Sequence, residues 1–364
     1  MMQDQKVTPA QAYEDYFGPA IFEPLTQVLL EYAPPQLGER VLDLACGTGI
    51  VARRVAPMVG AGGLVVGVDI NPGMIEVAQA QPAPEGAPIE WRQGDALTLD
   101  LPDSAFDVVL LQQGLQFFSD RPAGARRMRR VLADGGRVVL AVWQGLERHP
   151  LYEALVDAEV PHLGALGVPV SREEVGAPFS LGDADDLRTL LTDAGFRDIE
   201  IASRSIEARF ATPGRFVERM EFAYAAVVPQ FVEDPAAFAA YRETIGRETK
   251  AIVERYREGD WIAVPMHTPH RRRTRLSMLL CDGEQATPDA PPRRRGPHST
   301  STWVSAEWAS GLGGADRGPR AAGLWATSAT LSGSSDASCT RASTNPAPAR
   351  AAGAPRVRAC RTNR

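Results

Sequence analysis

The sequence predicts an α/β protein built on a doubly wound, mostly parallel, seven-stranded sheet. Two observations carry this prediction. Short apolar segments alternate with helical patterns from about residue 38 to 205, as expected when parallel strands are joined by crossover helices. The apolar segment at 41–44 also ends in a turn, Cys46-Gly47-Thr48-Gly49, with a helix expected directly after it.

The predicted strands follow the apolar segments, and turn residues separate them. Asn71 suits the N-cap of a helix beginning near Pro72, and Gly195 suits a helix C-cap. The remaining helices are expected near 50–58, 121–132 and 183–194. The strands are expected at 40–45, 64–69, 88–93, 106–111, 137–143 and 197–203.

The glycine turn predicts a cofactor-binding loop, because glycine places no Cβ between the backbone and a ligand. The helix N-terminus after the turn would direct its amides at that ligand. Residues 47–52 also fit the Gly-x-Gly-x-x-Ala dinucleotide pattern, with Asp69 about twenty residues on. The loop alone therefore leaves the cofactor open between a dinucleotide and S-adenosylmethionine.

Three further features favour S-adenosylmethionine. Asp43 precedes the turn, where a carboxylate suits a cationic methionine group but would repel a pyrophosphate. Asp95 lies at a second strand end and suits an adenine amino group, and Leu-Ala-Asp-Gly-Gly-Arg at 132–137 leads into an apolar strand. With these motifs, residues 10–266 resemble the class I S-adenosylmethionine-dependent methyltransferases, in particular the small-molecule group that includes the quinone-biosynthesis C-methyltransferases. The resemblance implies their Rossmann-like fold.

The motifs indicate which residues would bind the cofactor. Asp69 at the end of the second strand would accept both ribose hydroxyls, and Asp43 would face the methionine amino group. Asp95 and the Ala96 amide would bind adenine, with Ile70 and Leu97 on either side of the ring. The resemblance adds three further places that would bind the cofactor: the loop, the end of the fourth strand and an N-terminal aromatic lid. The corresponding residues are Ala45, Cys46, Gly47 and Gly49 in the loop, Gln112 and Gln113 at the strand end, and Tyr13 and Tyr16 in the lid.

The resemblance also orders the chain into parts. It implies an N-terminal lid at about 10–32, a core at about 38–143 and 182–205, and cap insertions at about 144–180 and 212–258 that shape an acceptor pocket. Residues 144–180 are expected to be loop and short helix, and 212–258 to form two helices, 216–228 and 235–256. Residues 259–267 are expected to begin a seventh, antiparallel strand between strands five and six.

Methyl transfer from a sulfonium is an in-line displacement that needs no nucleophilic side chain and no metal. His149 and His162 fall in the first insertion, and His149 is the candidate general base, with a surface-loop role as the alternative. An acidic phenol or activated carbon as acceptor would need no base. The sequence does not indicate whether oxygen, nitrogen or carbon is methylated.

The charge distribution divides the chain at about residue 267. Residues 1–267 carry a net charge of −15 and 268–364 a net charge of +9, with arginine but no lysine in the second part. We expect residues 1–267 to form one domain. The remainder is rich in Arg, Pro, Ala, Gly and Ser, so we expect a tail that is disordered or derived from a frameshift. The acidic domain argues against nucleic acid as substrate, and the absence of a long apolar segment argues against a membrane partner. Cys46, the single cysteine before the tail, and an N-terminus unlike a secretory signal predict a cytoplasmic protein.

Two alternatives to a methyltransferase remain on these grounds. A nucleotide-linked NAD(P) oxidoreductase could use the same glycine turn. A protein that binds S-adenosylmethionine without turnover, acting as a regulator, would share every cofactor motif. A small-molecule acceptor is the partner that the methyltransferase interpretation requires.

Overall fold

The computed structural model describes residues 7–221 and 228–267, together with the backbone of 278–282. Most of the predicted tail therefore lies outside the described residues, as do 222–227 within the predicted helix 216–228. The helices are α1 Pro9–Phe17, α2 Glu23–Tyr32, α3 Ile50–Val59, α4 Pro72–Ala80, α5 Arg121–Val131, α6 Pro150–Ala165, α7 Arg172–Val175, α8 Ala184–Asp193, α9 Phe216–Met220, α10 Pro229–Glu233 and α11 Pro235–Val253, with a π-helix at Gly18–Phe22. The strands are β1 Arg40–Leu44, β2 Leu64–Asp69, β3 Ile89–Gln93, β4 Phe106–Gln112, β5 Leu132–Ala141, β6 Arg197–Ile201, β7 Ser205–Ala211, β8 Arg257–Glu258, β9 Trp261–His267 and β10 Met278–Asp282.

The larger sheet has the strand order β3-β2-β1-β4-β5-β10-β6. Strands β3, β2, β1, β4 and β5 pair in parallel, and Val41 of β1 lies between Val65 and Val108 of its neighbours. Alternate residues enter separate cores on the two faces, Val41 on one and Leu42 on the other. Strands buried on both faces need continuous apolar sequence, which is why the predicted strands stood out.

The predicted place of residues 259–267 in this sheet is wrong. Strand β9 pairs antiparallel with β7 and β8 in a separate three-stranded sheet. The position between β5 and β6 is taken by β10, which is antiparallel to both. Buried and exposed residues alternate strictly along β7, a pattern typical of a strand with one solvated face, and this unpredicted strand is the partner of β9.

The cap differs from the prediction in its first insertion. Residues 144–180 contain α6, a helix of sixteen residues that continues through Pro161, where loop and short helix were expected. Leu151, Leu155 and Leu163 on one face of α6 are buried in the core, and this packing outweighs the proline. Among the described residues, no helix combines the length and the apolar character needed to span a membrane.

Candidate active site

The glycine loop after β1 has three backbone positions in the left-handed region, at Ala45, Gly47 and Gly49. Gly47 has φ +54°, and no atom lies within 4 Å of the point where a Cβ would be. Ala45, at the place of the family's first glycine, also adopts φ 54°. The backbone at Gly47 therefore faces open space, as a loop that binds a ligand closely requires.

The surroundings of Gly49 differ from those of Gly47. Its φ is +82°, and a Cβ there would lie 2.2 Å from the ring of Trp91. The same ring lies 2.5 Å from the point where a Cβ of Gly67 would be. Gly49 makes room for the Trp91 ring and is not among the residues that line the cavity described below. Trp91 was not singled out from the sequence; its place on a short edge strand, β3, was the available signal.

Asp43 is buried at the end of β1, and its Oδ2 accepts the backbone N–H of Ala52 at 2.9 Å. The carboxylate thereby caps α3, whose N-cap residue Gly49 has no side chain to do so. Burial raises the pKa of Asp43 to about 8, with the Ala52 hydrogen bond opposing and the Asp69 charge adding to the shift. A cationic ligand group beside Asp43 would favour its ionised form.

Asp69, at the end of β2, is held by backbone donors. Its Oδ2 accepts the N–H of Gly47 at 2.8 Å, and its Oδ1 accepts the N–H of Asn71 at 2.9 Å. Burial raises the pKa of Asp69, and these two hydrogen bonds oppose the shift. Each carboxylate oxygen can accept a second hydrogen bond, so two ligand hydroxyls can still pair with Asp69.

Asp95 stabilises the loop after β3. Its Oδ1 accepts the N–H of Leu97 at 2.8 Å, which closes an Asx turn, and Ala96 lies in the same loop. The Ile70 side chain is 53% exposed at the neighbouring strand end. An apolar side chain exposed at that place suits contact with a planar ring.

The carboxyl ends of β1, β2 and β4 open into one cavity of about 940 Å³. The residues that line it continue from the glycine loop to the N-terminal helices and the cap. The predicted site residues among them are Asp43, Ala45, Cys46, Gly47, Asp69, Ile70, Asp95, Ala96, Gln112, Gln113, Tyr13 and Tyr16. Among the described residues, no His/Cys/Asp/Glu group could hold a metal ion.

Cys46 lies in this wall as a buried free thiol. Burial raises its pKa well above the ordinary value, and the charges of Asp43 and Asp69 add to the shift. The thiolate form is thereby disfavoured, so Cys46 is a small loop residue without nucleophilic character.

Polar side chains tie the N-terminal segment to the core. The guanidinium of Arg53 forms an ion pair with Glu14 of α1 at 2.6 Å. Gln112 at the end of β4 donates from Nε2 to the Phe22 carbonyl at 3.3 Å and accepts from the Thr26 hydroxyl at 3.1 Å. The Gln112 side chain therefore holds the N-terminal helices over the sheet while the residue lines the cavity.

Gln113 lies at the point where β4 ends, with φ 55°. Its Oε1 accepts from Gln116 Nε2 at 2.8 Å. Gln113 Nε2 and Gln116 Oε1 are buried without a hydrogen-bond partner among the described residues. Both residues line the cavity, so a bound molecule can supply the missing acceptor and donor.

His149 is not placed to act as a general base. Its Nε2 accepts the backbone N–H of His267 at 2.9 Å, and its Nδ1 lies 3.2 Å from the Gly145 carbonyl oxygen. Both ring nitrogens are thus used in backbone hydrogen bonds, and His149 does not line the cavity. Burial lowers its pKa to about 4. The sequence expectation for His149 is corrected: it joins the start of α6 to the end of β9.

The cavity wall also contains polar cap residues that sequence reasoning missed. Tyr152 and Glu159 lie seven residues apart on α6, and both line the cavity. Glu159 is 4% exposed, and its neighbour Glu221 is fully buried. A glutamate at a helical position among apolar residues was the available signal, because buried glutamates are rare.

Comparison with known proteins finds similarity to methyltransferases. Residues 41–136 match the family described as "Methyltransferase domain". A ubiquinone/menaquinone biosynthesis C-methyltransferase of Coxiella burnetii is 34% identical over 174 residues, covering 45% of this chain and 68% of the relative. Nocamycin O-methyltransferase of Saccharothrix syringae is 32% identical over 208 residues, covering 54% and 72%. A solved phosphoethanolamine N-methyltransferase of Haemonchus contortus, in complex with S-adenosyl-L-methionine, has a TM-score of 0.44 at 20% identity and covers 78% and 58%.

The family match and the two sequence relatives define a methyltransferase. The chain belongs to the class I S-adenosylmethionine-dependent methyltransferases. It is an enzyme that transfers a methyl group from S-adenosylmethionine. Family membership decides against the oxidoreductase.

Proposed function

We propose that this enzyme methylates a small, largely apolar molecule bound between the glycine loop and the cap helices. The continuous cavity of about 940 Å³ carries the proposal. Its volume is near the top of the range of roughly 300–1,000 Å³ expected of small-molecule sites, which leaves room for a cofactor and an acceptor together.

The residues present fit the cofactor. Gly47 leaves open space at the loop, and the buried Asp43 carboxyl would gain from a neighbouring ammonium group. In this proposal Asp69 binds the ribose hydroxyls, Asp95 and Ala96 bind adenine, and Ile70 packs on the ring. Tyr13 and Tyr16 of α1 cover the site from the N-terminal side.

The walls on the acceptor side are mainly aromatic and aliphatic. Phe17, Phe22, Trp143 and Phe179 line the cavity beyond the loop. Two relatives agree with an apolar acceptor, since their names give methylation in ubiquinone/menaquinone biosynthesis and of 2-phytyl-1,4-naphtoquinone. A small organic molecule of this chemistry is the partner we infer.

S-adenosylmethionine supplies the electrophilic methyl group when bound. The chain contributes orientation, because the Asp69–Gly47 hydrogen bond and the Asp43 cap hold the loop rigid. It contributes the exclusion of water through the N-terminal helices that Gln112 holds in place. His149 takes no proton in this scheme.

Calorimetric titration of S-adenosylhomocysteine into the full chain tests the proposed cofactor roles, with NAD as the comparison compound. Wild-type protein is expected to bind S-adenosylhomocysteine in the micromolar range. Asp69→Asn is expected to weaken binding at least about tenfold. One carboxylate oxygen becomes an NH2 group, which cannot accept the hydrogen bond from the N–H of Gly47 or Asn71. Asp100→Asn, an exposed aspartate in the loop beyond β3, is the matched control and should bind like wild type. A folded wild-type sample that binds NAD but not S-adenosylhomocysteine would contradict the assigned roles.

We also propose a cytoplasmic location, in keeping with a buried cysteine in the reduced form.

A further inference from the structure

Helix α6 carries two polar side chains on the cavity wall at different depths. Tyr152 and Glu159 are seven residues apart, so they share a face and differ by about 10 Å along the helix axis. The Tyr152 end adjoins the carboxyl end of β5, because His149 just before α6 accepts the N–H of His267, whose carbonyl in turn accepts the N–H of Gln144 just beyond β5. Glu159 therefore lies at the end of the chamber remote from the glycine loop.

At the near end are two hydroxyl groups, which we call the proximal hydroxyl pair: Tyr16 and Tyr152. Both hydroxyl oxygens are buried and have no hydrogen-bond partner among the described residues. Tyr16 is only 8% exposed. A buried hydroxyl without a partner costs about 1–3 kcal/mol, which a ligand that pairs with it would recover.

At the far end are two carboxyl groups, which we call the distal carboxyl pair: Glu159 and Glu221. The Tyr241 hydroxyl donates to Glu221 Oε2 at 3.2 Å. Burial, the charge of Glu159 and a hydrogen bond with Glu159 raise the pKa of Glu221 well above its ordinary value, while Tyr241 and Arg242 oppose the shift. The protonated form of Glu221 is therefore favoured beside Glu159.

The charges around the distal carboxyl pair decide what kind of group it can bind. Arg242 acts on Glu221 and lines the same cavity, as does Arg215, and Arg215 and Arg242 share one carboxylate, Glu218. This surplus of arginine disfavours a cationic ligand. Glu159 lines the cavity, and its carboxylate can accept a hydrogen bond from an uncharged donor such as a hydroxyl group.

We propose that Glu159, with the buried Glu221 beside it, binds a hydroxyl group at the end of the acceptor remote from the methylated atom, while Tyr16 and Tyr152 bind a polar group at the near end. The acceptor is then an elongated, apolar molecule with two polar groups about 10 Å apart. This inference rests on the proposed function and makes Glu159 a residue that determines specificity.

Two probes test the proposal by calorimetry with the full chain saturated with S-adenosylhomocysteine. Biphenyl-4,4′-diol has hydroxyl groups at both ends, separated by a similar distance, and biphenyl-4-ol has one. The diol is expected to bind about tenfold more tightly, because its second hydroxyl gains a hydrogen bond to a charged group. Equal affinities of the two probes for wild-type protein would overturn the proposal.

Variants then locate the effect. Glu159→Gln is expected to reduce the tenfold preference to about twofold, because the hydrogen bond loses its charge. Glu221→Gln should keep most of the preference, since an amide resembles the protonated carboxyl. Glu153→Gln, on the exposed side of α6 and paired with Arg172, is the control and should keep all of it. An unchanged preference in Glu159→Gln would overturn the proposal, as would a loss in Glu153→Gln of the same size.

Titrations without S-adenosylhomocysteine separate this inference from the proposed function. A preference for the diol that depends on Glu159, in a chain that does not bind S-adenosylhomocysteine, would support the distal carboxyl pair and contradict the cofactor site. Binding of S-adenosylhomocysteine without any preference for the diol would support the cofactor site and contradict the role of the distal carboxyl pair. The affinity for S-adenosylhomocysteine in each variant also reports that the variant is folded.

Discussion

The Asp69 carboxylate accepts the backbone N–H of Gly47 at 2.8 Å, joining the end of β2 to the loop after β1. The acid proposed to bind the ribose therefore also sets the conformation of the loop beside it. Gly47 and Gly49 flank Thr48 in this loop, yet their surroundings differ. Gly47 faces open space, and Gly49 faces the Trp91 ring.

We expect Gly49→Ala to destabilise the protein by about 2–5 kcal/mol, from left-handed backbone strain and overlap with Trp91. Chemical denaturation measures this change. Gly62→Ala, in an open turn without positive φ, is the control and should change stability by less than about 0.5 kcal/mol. Trp91→Leu in the Gly49→Ala background should recover part of the loss, and strict additivity of the two changes would contradict the steric explanation.

The pKa of about 8 at Asp43 predicts a pH dependence of stability. Between about pH 4 and pH 8 the native state holds a proton that the unfolded state has lost, so stability falls as pH rises through this window. The contribution of Asp43 to the slope of the free energy of unfolding approaches about 1.4 kcal/mol per pH unit. Asp43→Asn cannot ionise and should show a correspondingly flatter profile in urea denaturation from pH 5 to pH 8. Parallel profiles for the two proteins would show that Asp43 is ionised in the free enzyme.

The lowered pKa of His149 predicts that stability decreases as the pH falls below about 6.5. Its native pKa of about 4 lies below the unfolded value of 6.5, so the unfolded state binds the proton first and stability falls as pH drops from 6.5 to 4. His149→Gln should reduce this slope by up to about 1.4 kcal/mol per pH unit and lower stability at pH 7 through the altered bridge to His267. Thermal unfolding at pH 7.0 and pH 4.5 measures both effects. His162→Gln, on the surface of α6, is the control, and a slope that persists in His149→Gln would assign the effect to another group.

Gln112 is expected to control the opening of the N-terminal helices. Gln112→Leu removes the hydrogen bonds to Phe22 and Thr26, at a cost of about 1–3 kcal/mol for groups left unpaired. Hydrogen exchange should become faster in residues 9–32 and stay unchanged in the central strands. Gln27→Leu, which removes an exposed hydrogen bond on α2, should leave exchange near the wild-type rate. Uniformly faster exchange throughout the chain would instead indicate global destabilisation.

Most of the α/β core was predictable because each signal was local. The strands around 41–44 and 106–111 are buried on both faces, so their sequence is continuously apolar, and Asn71 caps α4 as expected from the residue type. Strand β9 could not be placed in this way. Its neighbours depend on the unpredicted strand β7, and pairing between distant strands has no local signature.

The sequence by itself determined that a glycine loop and three acids would meet at one edge of a sheet, because parallel strands direct their carboxyl ends to the same side. Tertiary structure alone decided what surrounds them. Trp91 occupies the space that Gly49 leaves, and His149 joins α6 to a strand more than one hundred residues away. Glu159 and Glu221 come together from separate helices. The raised pKa of Glu221 follows from its burial and from the proximity of Glu159, which arise only when the cap packs on the sheet.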